Sequence, residues 1–192
     1  METHVIDLRN NPPGQTTSME RAAIDKPYLD LRRRYRQVEN SLYEVVLTVV
    51  NRPCGENGER AYEITRDAID KRMQELVNKH IGEIDHNAVK FAMTNASSYS
   101  MARLRLGTIS VPDSVGILKS YSISGIRDGS GSLVISGRVW LSPRAEEMIR
   151  TDNYLFAMRS SITKLDHNKP GCRLDMIHGF DLLMIAEFDP TI

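Results

Sequence analysis

Two arms and a turn decide the fold. The first arm is Ile117-Leu118-Lys119-Ser120-Tyr121-Ser122-Ile123-Ser124-Gly125-Ile126. The turn is Arg127-Asp128-Gly129-Ser130-Gly131, and the second arm is Ser132-Leu133-Val134-Ile135-Ser136-Gly137-Arg138-Val139-Trp140-Leu141. Both arms alternate apolar with polar or small residues, as strands with one buried face do. Asp and Gly between them tolerate the positive φ of a tight turn, so the arms are expected to pair as an antiparallel hairpin.

Further strands are read on either side of the hairpin. Leu42 to Val50 is dense in β-branched residues and ends at Asn51-Arg52-Pro53 and a Gly55 to Gly58 turn. Val89, Phe91 and Met93 alternate with Lys90, Ala92 and Thr94, and Leu104 and Leu106 alternate with Arg103 and Arg105. Tyr154 to Met158 and Phe180 to Phe188 are the last strands, with Asn168-Lys169-Pro170-Gly171 as a turn between them. Ile64, Ala68, Ile69, Met73, Leu76 and Val77 recur at three- and four-residue spacing, predicting an amphipathic helix closed by Gly82. Pro143 begins a second helix that runs to about Arg150. Leu31, Tyr35 and Val38 suggest a short amphipathic helix within Leu29 to Asn40.

The expected architecture is α+β: one domain in which an antiparallel sheet packs against one main amphipathic helix and smaller helices. Residues 1–28, with Asn10-Asn11-Pro12-Pro13-Gly14, read as a flexible N-terminal tail and residues 29–192 as the globular part.

The 192 residues hold 41% hydrophobic side chains and 25 Lys+Arg against 25 Asp+Glu, which excludes a disordered or fibrous chain. No apolar run approaches the ~18–20 residues of a membrane span. Glu2, His4 and Asp7 stand where a secretory leader would be basic and then apolar, so none is expected. Cys54 and Cys172 form neither a disulfide framework nor a Cys-x-x-Cys metal site, and fit a reducing compartment.

Zero net charge argues against anionic partners, but the charge is unevenly spread. Arg32, Arg33, Arg34 and Arg36 lie within five residues, and Lys90, Arg103, Arg105, Lys119 and Arg127 face only Asp113 over residues 88–127, a local net of +4. Guanidinium groups bind phosphates bidentately, in lipid headgroups or in nucleic acid. The plainer alternative is a set of solvated faces.

Catalytic signatures are not found. His86, His167 and His178 stand near Asp85, Asp166 and Asp175, an adjacency common by chance, and no His-Glu-x-x-His, P-loop or Gly-x-Ser-x-Gly pattern occurs. No catalytic residue, metal site or cofactor is therefore assigned. Tyr28-Leu29-Asp30-Leu31 fits the Tyr-x-x-Leu pattern that recruits trafficking machinery, and Pro12-Pro13 is a candidate docking element for self-association. Trp140 lies beside Arg138 on the strand face opposite Leu133, Ile135, Val139 and Leu141, and is read as a packing anchor of a second face, with an exposed contact as the alternative.

The run Leu133 to Leu141, with Gly137-Arg138 and Trp140, resembles the strand that carries a Gly-Arg-aromatic signature in the matrix proteins of rhabdoviruses. Tyr43 to Val49, the turn with Pro53 and Gly58, Tyr62 and the Thr65 to His80 helix resemble the opening of that family's globular domain, and Phe91 to Thr94 and Tyr121-Ser122-Ile123 follow in order. The likeness covers about residues 42–150. It implies a non-enzymatic structural protein of the virion, beneath the envelope and in host cytoplasm, at host membranes and also in the nucleus. Such a protein self-associates into an open-ended homo-oligomer, contacts the inner membrane leaflet and the viral nucleocapsid, and supports budding. A glycoprotein tail and host trafficking machinery are further partners that the resemblance implies. The first 26 residues hold only Arg9, Arg21 and Lys26 as basic groups, unlike the family's Lys-rich tail, and Pro12-Pro13-Gly14-Gln15 is not Pro-Pro-x-Tyr. A plant- or arthropod-infecting member could differ in this way, with Arg32 to Arg36 and the positives of residues 88–127 substituting for the tail. The alternatives are a monomeric RNA-binding domain that uses Arg103, Arg105, Lys119 and Arg127 on a sheet face, and a small enzyme with a non-local site.

Overall fold

The computed structural model of the chain describes residues 3–5, 30–54, 59–83, 114–151, 153–164 and 171–184. In order its elements are β1 (Thr3–Val5), β2 (Tyr35–Glu39), β3 (Leu42–Val50), β4 (Arg52–Pro53), β5 (Arg60–Ala61), α1 (Arg66–Leu76) and β6 (His80–Glu83). There follow β7 (Ser114–Gly125), β8 (Leu133–Leu141), α2 (Pro143–Arg150), β9 (Tyr154–Lys164) and β10 (Cys172–Met184). The fold is mixed α and β and mostly sheet. Eight strands form one sheet in the order β1-β9-β10-β6-β7-β8-β3-β2, while β4 and β5 pair separately. Every contact in the large sheet is antiparallel except β10 with β6.

The β7–β8 hairpin forms as expected, with Gly125 opposite Leu133 and Gly116 opposite Leu141. In its turn Gly129 and Gly131 adopt φ of 76° and 72°, and Asp128 Oδ1 accepts from the Ser130 amide at 2.8 Å. Hydrogen bonding from the Ser130 side chain, and then from its amide, holds the Asp128 carboxyl below its usual range.

Because side chains alternate along a strand, β8 sends Ile135, Val139 and Leu141 inward and Val134, Ser136, Arg138 and Trp140 outward. The inward set joins Tyr43, Val45 and Leu47 of β3, Leu118 of β7, Phe156 and Met158 of β9, and Phe180 and Leu182 of β10 in one core. Strands β3 and β9 are far apart in the sheet order yet approach each other, so the sheet curls around that core. Helix α1 adds Ile69, Met73 and Leu76, and α2 adds Ala145, Met148 and Ile149. The hydroxyls of Thr65 and Ser142 cap the two helices by accepting from Ala68 and Ala145 amides. Tyr121 Oη donates to Asp70 Oδ1 at 2.8 Å and ties α1 to β7, and burial raises its pKa above the usual phenol value.

Several expectations are corrected. Helix α1 ends at Leu76, not at Gly82. Asn78 turns to φ 63° and its amide donates to the Leu118 carbonyl at 2.6 Å, which swings the chain into β6, where His80, Ile81 and Gly82 pair with β7. Among its described residues the Arg-rich segment is helical at 30–32 only and then becomes strand β2. Leu31 packs against Val46, Val49 and Val134 on the outer face, whereas Tyr35 meets Tyr43 with ring centroids 6.2 Å apart. The three apolar residues therefore share no helical face. Thr3–Val5, placed in a flexible tail, pairs antiparallel with β9. The last two strands are longer than expected and Trp140 is 45% exposed. The strands expected at Val89 to Met93 and around Leu104 and Leu106 lie outside the described residues.

Gly116 allows β7 and β8 to approach closely: a Cβ there would come within 2.5 Å of the Trp140 carbonyl oxygen. Gly116→Ala is expected to lower unfolding stability by about 1–3 kcal/mol through overpacking. Gly125→Ala, where a Cβ meets nothing within 4 Å, should stay within about 0.5 kcal/mol of the parent. Urea denaturation of both variants tests the contrast, and equal effects would refute it.

Candidate functional site

Residues opposite one another on antiparallel strands share a sheet face, so the register builds the outer surface row by row. One row runs His80, Ile117, Trp140, Leu42 and Glu39 across β6, β7, β8, β3 and β2. Trp140 stands above the half-buried Leu42 and Ile117, beside a groove of about 470 Å³ that Asn40 and Lys119 also line. The next row is Ser120, Arg138, Glu44 and Arg36. Lys119 is the extra residue of a bulge opposite Arg138, and its Nζ donates to Asn78 Oδ1 at 3.1 Å. Arg36 Nη2 meets Glu44 Oε2 at 2.7 Å, an exposed pair of the kind worth about 0–1 kcal/mol. The outer face thus presents one large amphipathic ring beside Arg36, Lys119 and Arg138, partly balanced by Glu39 and Glu44.

The anticipated contact residues do not converge as a group. Arg32 is 7% exposed and donates from Nη2 to the Phe156 carbonyl, so it anchors the chain before β2 onto β9 and is not a surface contact. Arg33, Arg34 and Arg36 are exposed, with Arg33 Nη1 3.9 Å from Asp30 Oδ1. Lys119 and Arg127 are both exposed, but Lys119 stands in the middle of β7 and Arg127 in the turn beyond its end, roughly 25 Å away at the rise of an extended chain. Leu31, half of the Tyr-x-x-Leu pattern, is committed to the outer apolar cluster. Tyr28, Pro12, Pro13, Arg103 and Arg105 lie outside the described residues. Trp140 and Arg138 make a centre in which the tryptophan is the exposed contact, the alternative to the packed reading. The available signal was a single tryptophan beside an arginine on the polar phase of a strand.

A second polar constellation lies between β9 and β10, exposed at Asp175 and buried at Ser161, His178, Arg159 and Asp181. Strand β10 has two bulges, at Asp175 and His178, and bulges re-aim side chains. Asp175 Oδ2 accepts from Thr163 Oγ1, and His178 Nε2 lies 2.6 Å from Ser161 Oγ. A serine and a histidine so close are the first two parts of a nucleophile–base relay. Here Ser161 is 1% and His178 8% exposed, so the pair is closed to solvent and acts as a strand-to-strand bond. Nearby, Arg159 Nε lies 2.7 Å from Asp181 Oδ2, approaching off the N–H axis. Gly179 makes room, since a Cβ there would come within 2.9 Å of Arg159 Nη2. Among the described residues no three His, Cys, Asp or Glu side chains gather as a metal site, and no helix is long and apolar enough to cross a membrane.

Burial pushes the Asp181 carboxyl up to about 6, against the opposing pull of Arg159 and the Gly82 amide. An unfolded aspartate titrates near 3.9, so between about pH 4 and 6 the folded protein holds the extra proton. Stability from this group is full below that window and falls as pH rises through it. Asp181→Asn should flatten that slope in unfolding measurements across pH 4–7, and an unchanged slope would refute the assignment. Asp181→Leu alone should cost about 3–5 kcal/mol by stranding Arg159, while Arg159→Met with Asp181→Leu recovers most of it.

No family model, curated protein or solved structure matches the chain.

Proposed function

We propose that the chain is a matrix-type structural protein of a virus, in which the outer sheet face lies against an anionic surface. It has no catalytic role in this reading. Copies of the chain self-associate beneath the envelope, link the inner leaflet to the helical nucleocapsid and support budding. The observation that carries the reading is Trp140, 45% exposed on the outer face with Arg36, Lys119 and Arg138 in the adjoining row. An indole beside cations suits the headgroup region, where one end of the ring is wet and the other apolar. Each cation near an anionic leaflet adds ~1 kcal/mol, so one subunit binds weakly and an array binds firmly. Among the described residues the outermost strands, β1 and β2, each pair on one side only, and such edges suit contacts with other chains. The sequence resemblance supplies the matrix class, and the exposed face supplies a mechanism.

Trp140 is the sole tryptophan, so its fluorescence reports the contact directly. Vesicles containing phosphatidylserine are expected to shift its emission to the blue and to sediment the protein, with salt reversing both. Arg36→Gln, Lys119→Gln and Arg138→Gln combined should weaken binding by roughly 100-fold. An emission that stays fixed, or that shifts equally with neutral lecithin, would sink the reading. A shift seen with single-stranded RNA and not with vesicles would transfer the face to the RNA-binding alternative, for which one aromatic platform is a slender basis.

A further inference from the structure

A second cleft, of about 550 Å³, lies where the β4–β5 unit, the start of α1, the hairpin turn and β10 meet, and it shares no residue with the Trp140 groove. Ile64, Ala68 and Leu174 give it an apolar wall, and arginines from two separate strands line it. Arg60 Nη1 donates to the carbonyls of Asn51 at 2.8 Å and Ser130 at 2.7 Å, which fixes the guanidinium while using only one of its nitrogens. Gly131 leaves room for this group, as a Cβ there would stand 3.2 Å from Nη1 and 3.3 Å from Nη2. Arg173 is oriented by its Nε, 3.1 Å from Asp175 Oδ1, and Asp175 is itself held by Thr163. The wall is rigid too: the Asn51 side chain exchanges two hydrogen bonds with the Ile64 backbone, at 2.8 and 2.9 Å. Among the described residues of the lining Glu63 is the one carboxylate, set against two guanidinium groups and the positive end of α1.

We propose that this cleft binds a phosphate monoester carried on a small apolar body. One bidentate guanidinium saturates a carboxylate, whereas two guanidiniums on separate elements match the larger set of acceptor oxygens on a phosphate. The volume suits a small organic ligand, with an apolar wall for its body and a few fixed polar groups for its head. This site is independent of the membrane reading and stands or falls without it.

Phenyl phosphate is the probe, followed by calorimetry and by ¹H–¹⁵N spectra of the full chain, with inorganic phosphate and benzoate alongside. Saturable shifts are expected at residues 64–68, 131 and 173–174, and phenyl phosphate should bind more tightly than either comparison ligand. Arg173 is exposed, so its variants should keep the parent spectrum. Arg173→Gln should weaken binding about tenfold, the size of a lost charged hydrogen bond, and Arg173→Lys should fall between. Arg34→Gln, an exposed arginine outside the cleft, should leave binding unchanged. No saturable shift, or undiminished binding in Arg173→Gln, would overturn the site. Benzoate binding as tightly would overturn the phosphate assignment, and inorganic phosphate binding as tightly would overturn the apolar body.

Discussion

Two antiparallel units, β1-β9-β10 and β6-β7-β8-β3-β2, become one sheet through a short parallel seam in which Asp181 stands opposite Gly82 and Leu182 opposite Glu83. Asp181 is the residue at that join. Its carboxylate draws on Arg159 of β9 and on the Gly82 amide of β6, so one buried charge addresses both units at once. A hydrophobic pair at the same place would pack but would specify no direction or register. Buried polar groups are at their most useful where a register has to be chosen. The core depends on this choice, because slipping β10 by one residue on β6 would turn Phe180 and Leu182 out of it.

The central sheet was readable from residue pattern because β7 and β8 keep a near-regular period of two and a turn with the right glycines. The Leu42 to Val50 strand and the Pro143 helix were readable for comparable local reasons. Strand β10 was not. Its inward residues Leu174, Ile177 and Phe180 are three apart, since each bulge adds a residue between them, and a period-two test fails on such spacing. Arg159, Ser160 and Ser161 likewise disguised β9 as a strand that stops at Met158. The helix read over Leu29 to Asn40 failed because Leu31 and Tyr35 serve opposite faces of the sheet, a division that only tertiary pairing determines. The α1 boundary failed because Asn78, not Gly82, takes the left-handed conformation.

The candidate surface was legible only in part for a related reason. Counting charge along the chain grouped Arg32 with Arg36, but four residues later the backbone has changed from helical turn to edge strand. One guanidinium is buried on β9 while the other lies on the outer face. Conversely, Arg36, Arg138 and Lys119 are far apart in sequence and become neighbours through strand register. Neutral net charge is consistent with a face whose positive groups are local and partly balanced.

The two bulges of β10 also constrain how the chain can change length. Thirteen residues of β10 span eleven of β9, and the surplus comes in two single steps that each invert the alternation. Removing one step would exchange inside for outside across the segment between or beyond the bulges. Removing both would restore the original phase. Among related chains, insertions and deletions in this strand should therefore be tolerated in pairs, and a lone one should be met by a compensating change before Phe180.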